Sequence, residues 1–119
     1  MSTEYGVTSQ SEDLQQLIRG PVEMHSVLVD SAATAAIGQV LQYDATGDNY
    51  VDYTSSMAAA HYVVCAENKT LGGDTQVMCI ICGRVCKTKL DATAQADAEI
   101  GTALLKHGII PVLDNERLS

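Results

Sequence analysis

Four cysteines carry the most reactive chemistry in this 119-residue chain: Cys65 stands upstream, and Cys79, Cys82 and Cys86 follow at three- and four-residue steps. Thiolates so spaced can share a tetrahedral zinc ion, which makes the set a candidate metal site. Zinc ribbons hold their ligands on tight knuckles built with Gly or Pro, whereas Cys79 and Cys82 bracket Ile80 and Ile81, two β-branched strand formers. In a regular strand, residues three apart point to opposite faces, so the pair is predicted to diverge. A redox Cys-x-x-Cys works from a helix N-terminus, where the dipole lowers the thiol pKa, and this one lies in a strand pattern. The cysteines therefore read first as small buried hydrophobes. A small zinc- or thiol-dependent β domain using Cys65, Cys79, Cys82 and Cys86 is the alternative.

The remaining polar residues form no sharper constellation. His25, His61 and His107 are far apart in sequence, and none adjoins an acidic or nucleophilic cluster. A cation at a helix C-terminus accounts for His107. Asp44, Asp48 and Asp52 bracket one loop but lack the EF-hand spacing and its closing Glu. Gly72-Gly73 reads as a turn, and no phosphate loop or nucleophile elbow occurs. No catalytic residue, cofactor or metal ligand is assigned, and no enzymatic activity is expected.

The elements that must carry these residues are legible from periodicity. Val77-Met78-Cys79-Ile80-Ile81-Cys82 is too apolar for a surface segment and too short for a helix, which predicts a strand over residues 75–84, buried on both faces. Ala96, Ile100, Ala103, Leu104 and His107 share one helical face, and Gln95, Asp97, Glu99, Thr102 and Lys106 share the other, which predicts one helix over residues 91–107. Asp91 or Thr93 caps its start, and Gly108 supplies a left-handed stop before the apolar residues 109–113. Upstream, a first strand starts at Val22. Residues 37–43 and 50–53 flank the turn-rich Asp44-Ala45-Thr46-Gly47-Asp48-Asn49 as a hairpin, and residues 61–66 form a further strand. The fold class expected is mainly β with one principal C-terminal α-helix (α+β), arranged as a small β-sandwich or partly open barrel.

Composition sets the limits on this fold. The length suits one domain, but the chain has no Trp and no Phe, so Val, Ile, Leu, Met, Cys and five Tyr must fill the core. Tyr43, Tyr50, Tyr53 and Tyr62 read as core fillers before interface anchors. The formal charge of −8 and the lack of a Lys/Arg row argue against nucleic-acid binding. No run approaches the roughly 18 apolar residues of a membrane helix, and residues 1–13 show no leader pattern. The chain is accordingly expected to start near Met1 and to be made in a reducing cytosol, with its cysteines as thiols. Residues 1–20 read as a flexible arm and residues 21–119 as a single β-rich domain. Within the arm, Leu14, Leu17 and Ile18 fall at helical spacing after Ser11-Glu12-Asp13.

Gly38-Gln39-Val40-Leu41, Tyr43-Asp44-Ala45-Thr46-Gly47, Ala58-Ala59-Ala60 leading into His61-Tyr62-Val63-Val64, Gly72-Gly73-Asp74 before a long apolar strand, and Gly83-Arg84-Val85 occur in that order. With the Ala-rich helix and Gly108-Ile109-Ile110-Pro111-Val112, this series resembles the head decoration proteins of tailed bacteriophages, of the lambda gpD type, over about residues 20–113. The resemblance implies a homotrimer on the outer surface of the expanded capsid, with an N-terminal arm that orders on the major capsid protein. It implies a structural virion protein made in the host bacterial cytoplasm, with no nucleic-acid or membrane partner. The capsid-binding residues implied are Tyr5, Val7, Leu14, Leu17 and Ile18. The four cysteines and the tail 114–119 depart from the family pattern.

Overall fold

Two long strands form the spine of the molecule. The computed structural model describes residues 14–54, 61–96 and 100–112. In it β1 (Ile18–Val29) runs antiparallel to β5 (Thr75–Cys86), with Val29 opposite Thr75 and Ile18 opposite Val85. Between them lie β2 (Val40–Asp44), β3 (Asn49–Asp52) and β4 (Tyr62–Cys65), and β6 (Ile109–Val112) lies against the far half of β5. All six belong to one mixed sheet in the order β1-β3-β2-β4-β5-β6, and the β1–β5 pairing returns the first five strands on themselves. The pairings are antiparallel except β1 with β3 and β5 with β6.

This closure gives the sheet two buried sides. Along β4, Tyr62 and Val64 face a cluster with Leu17, Val40, Ile80, Ile100, Leu104 and Ile109, while Val63 and Cys65 face a second with Val29, Leu41, Val77 and Cys79. Every β4 residue is buried as a result. The long strand β5 is buried on both faces at Cys79–Ile80 and again at Val85–Cys86, while Met78 is 39 % exposed and Ile81 half-buried. A register shift leaves Ile81 without a partner between Ile80 and Cys82, which resets the pleat so that Val85 joins Ile80 in the first cluster.

Several boundaries differ from the sequence reading. The first strand starts at Ile18, four residues before Val22, because residues 14–17 are helical and bring Leu17 into the core. Leu17, within the segment expected as an arm over residues 1–20, is 0 % exposed. The first hairpin strand is shorter than 37–43, the second is as long as 50–53 but displaced by one residue, and their turn closes with Asp48 in the left-handed region at φ 56°. In the predicted 91–107 helix the described residues hold α1 (Ala92–Ala96) and α2 (Ile100–Leu105), followed by a turn. The buried face of these segments is Ala94, Ile100, Ala103 and Leu104, and Ala96 is exposed rather than inward. Asp91, not Thr93, is the cap: its Oδ2 accepts from the Ala94 amide at 3.1 Å, and its Oδ1 accepts from the Val40 amide at 2.8 Å, which ties the helix start to β2. Gly108 has φ +86°, the expected stop, and the apolar segment behind it forms β6.

Candidate functional site

The five residues implied for capsid binding separate in the structure. Tyr5 and Val7 lie outside the described residues. Leu17 is fully buried in the core cluster that also holds Tyr53, Ile100, Leu104 and Ile109. Leu14 and Ile18 are partly buried and pack on the same cluster. Arg19 Nη1 bridges this segment by donating to the carbonyls of Ile18 at 3.0 Å and Gln15 at 3.4 Å. The apolar triplet is therefore the root of the N-terminal segment, held by the domain.

The cysteines do not converge either. Cys79 faces the second cluster beside Cys65, directly across β4 and β5. Cys82 lies beyond the unpaired Ile81, opposite Glu23 on β1, where its thiol approaches Glu23 Oε1 at 3.5 Å, and burial and that carboxylate raise its pKa. Cys86 is buried near Thr88, with Sγ and Oγ1 3.2 Å apart. The zinc alternative needs all four around one point, whereas Cys65 and Cys79 adjoin each other, Cys82 lies beside Glu23 and Cys86 beside Thr88. Among the described residues no group of three or more His, Cys, Asp or Glu side chains is arranged to hold a metal ion.

A feature the sequence reading missed is a continuous strip of rings. Tyr43 meets Tyr50 at 5.5 Å between centroids, Tyr50 meets His61 at 6.1 Å, His61 meets His107 at 4.9 Å, His107 meets Tyr62 at 5.5 Å, and Tyr62 meets Tyr53 at 5.7 Å. Most of these contacts are edge to face, the arrangement favoured by ring quadrupoles. The Tyr50 hydroxyl and His61 Nδ1 are 2.8 Å apart, a hydrogen bond, and Tyr43 donates to Asp48 across the hairpin turn. Burial pushes the Tyr50 hydroxyl pKa up, the Asp48 bond does the same for Tyr43, and burial followed by repulsion from His107 lowers the His61 pKa. One end of the strip is core, with Tyr53 and Tyr62 buried, and the other reaches the surface, with Tyr43, Tyr50, His61 and His107 half-buried. The scarcity of other rings was the available signal, since packing without Phe or Trp draws Tyr and His together.

The loop carboxylates each serve a local bond. Asp44 Oδ1 accepts from the Thr46 amide, and Asp52 accepts from the amide and hydroxyl of Thr34 at 2.8 and 3.0 Å. Asp30 and Asp74 both accept from Asn49 Nδ2, at 3.2 and 3.1 Å, clasping the start of β3 to the residues that follow β1 and precede β5. Leu105, 55 % exposed, and Ile110, 41 % exposed, present apolar surface beside the β6 edge of the sheet. Among the described residues no helix is long and apolar enough to cross a membrane. No protein-family model and no curated protein matches this chain.

Proposed function

We propose that the chain is a head decoration protein of the lambda gpD type, a structural virion protein that binds the outer surface of the expanded phage capsid as a homotrimer and cements the shell. The observation that carries this reading is where the family-like motifs fall. Gly38-Gln39-Val40-Leu41 leads into β2, Tyr43-Asp44-Ala45-Thr46-Gly47 runs into the β2–β3 turn, Gly72-Gly73-Asp74 precedes β5, and Gly108 opens β6. Each motif thus occupies a joint of the fold, where local backbone demands are strictest. On this reading the two C-terminal helical segments belong to one closing helix, and the closed circuit of pairings is a small, partly open barrel.

The placement of Leu17 refines the mechanism. Residues 2–13 form the capsid-binding arm, with Tyr5 and Val7 as its apolar contacts, while Leu14, Leu17 and Ile18 root it in the core. A clamp transmits load only if its root outlasts its tip. Here the root continues into β1, which pairs along nearly the whole of β5. The arm adds as a strand to the edge of a major capsid protein sheet. Three arms per trimer act together, so avidity exceeds the affinity of one arm by about 10²- to 10⁴-fold, and selective binding stabilises the expanded lattice by mass action.

Deletion of residues 2–13 tests the reading. The expected product is a folded protein of unchanged solution mass by light scattering, trimeric like the full chain, that no longer co-sediments with expanded, undecorated shells. Undiminished pelleting by the truncated protein, or a full-length monomer that never pellets, overturns it.

A further inference from the structure

We propose that Cys65 and Cys79 form an oxidative modification site, a dithiol that closes into a reversible cross-strand disulfide when the folded protein meets a peroxide. The two residues are direct partners in the antiparallel β4–β5 ladder. The hydrogen bonds fix which kind of pair they are. Ala66 N donates to Met78 O, while Cys65 N turns away to donate to Gln39 O on the other side of β4. Cys65 and Cys79 therefore occupy a non-hydrogen-bonded position, where opposing Cα atoms approach to about 4.5 Å and side chains lie closest. A disulfide spans Cα separations of about 4.4–6.8 Å, so this position accepts one within the existing register. The other two thiols have other neighbours: Cys82 lies beyond the unpaired Ile81 beside Glu23, and Cys86 beside Thr88.

The thiols are already ordered as attacker and resolver. Cys79 donates to the Cys65 sulfur, and Cys65 Sγ donates to Glu67 O at 3.1 Å. The bond from the Cys79 thiol, which a Cys65 thiolate would accept, lowers the Cys65 pKa and raises that of Cys79, so Cys65 is the better thiolate. In the first step Cys65 Sγ attacks one peroxide oxygen. The O–O bond breaks, the second oxygen leaves with the thiol proton as water, and Cys65 becomes a sulfenic acid. In the second step Cys79 Sγ attacks the Cys65 sulfur, the S–O bond breaks, and the hydroxyl leaves with the Cys79 proton as water. The two thiols lose two electrons and two protons in all, and one hydrogen peroxide is reduced to two waters.

Both sulfurs are fully buried, so opening of the strand end sets the rate. Cys65 is the last residue of β4, and the solvent-exposed 67–74 loop follows it, which makes this the end of the ladder that frays first. The site does not depend on the capsid reading.

The test is thiol mapping of the native full chain carrying Cys82→Ser, treated with hydrogen peroxide, quenched, alkylated under denaturing conditions and digested with trypsin. Tryptic cleavage places Cys65 in residues 20–69 and Cys79 in residues 70–84, a peptide that otherwise also contains Cys82. The expected result is a link between those two peptides, reversed by dithiothreitol, with Cys86 still alkylated. The oxidised protein should melt about 10 °C higher, since the bond closes a loop of about 15 residues. The unsubstituted chain is mapped in parallel, so misfolding of the variant does not decide the outcome. Full alkylation of Cys65 and Cys79 after treatment, a link through Cys86 in the variant or through Cys82 or Cys86 in the unsubstituted chain, or an oxidised form that melts no higher overturns the proposal.

Discussion

His61 and His107 lie edge to face with ring centroids 4.9 Å apart, so the residue that leads into β4 and the turn that leads into β6 are joined by two groups that can both take up a proton. Burial and this neighbour hold the folded-state pKa of His61 below the ordinary value of 6.5.

The sign of the pH dependence follows. In the unfolded chain His61 protonates near its ordinary value, while the folded protein resists until the pH is lower, so the unfolded state binds more protons in between. Stability is unaffected well above that range and is lost as pH falls through about 6.5 toward the folded pKa. The check is the urea midpoint of the protein and of His61→Gln, at about pH 8 and about pH 5.5. The unsubstituted protein should lose more stability than the variant between the two pH values. Equal losses would show that the ring contact carries no proton linkage.

Leu17→Ala should destabilise the fold by about 2–5 kcal/mol, the range for truncating a fully buried leucine. Leu14→Ala, at a partly buried position, should cost less. Urea unfolding ranks the two. A Leu17 variant as stable as the parent would place residue 17 in a mobile arm after all.

Gly38→Ala and Gly72→Ala should differ sharply. Gly38 has φ +95°, and a Cβ there would fall 2.2 Å from Lys89 O, whose backbone has no freedom to withdraw without moving the helix start. A Cβ added at Gly72 would meet nothing within 4 Å, and the backbone there has no left-handed φ. The first substitution should cost at least about 2 kcal/mol, and the second should stay within about 0.5 kcal/mol of neutral. Thermal melts of both variants decide it.

The parts of the fold that were legible are those whose cause is local. The β5 pattern follows from an apolar run with no helical period, Asp91 and Gly108 mark helix ends because short polar side chains and a missing Cβ satisfy or permit the terminal backbone, and the Asp44–Asn49 turn declares itself through turn chemistry. The reading of Cys79 and Cys82 as divergent assumed an unbroken two-residue period, and the register shift at Ile81 returns Cys82 to the Cys79 side of the sheet, beside Glu23.

What failed needed partners distant in sequence. Leu17 has the same apolar spacing whether it reaches for another protein or its own core, and only contact with Tyr53, Leu104 and Ile109 decides between them. The inward turn of Ala94 in place of Ala96 depends on the core cluster it joins, with Val40, Ile80 and Ile109 drawn from distant parts of the chain. The ring strip joins residues from Tyr43 to His107 and exists only because three strands and a turn converge.

By itself, then, the sequence determined a β-rich chain with an acidic surface, its turn and cap positions, and the helical character of the residues before Gly108, because these rest on backbone propensity, side-chain size and periodicity within a few residues. Tertiary structure alone decided the return of β1 onto β5, the parallel docking of β6, the burial of Leu17 and the pairing of Cys65 with Cys79. Each of these is a choice among partners far apart in the chain, settled by the burial of apolar area and the register of hydrogen bonds, and neither quantity is defined until the strands meet.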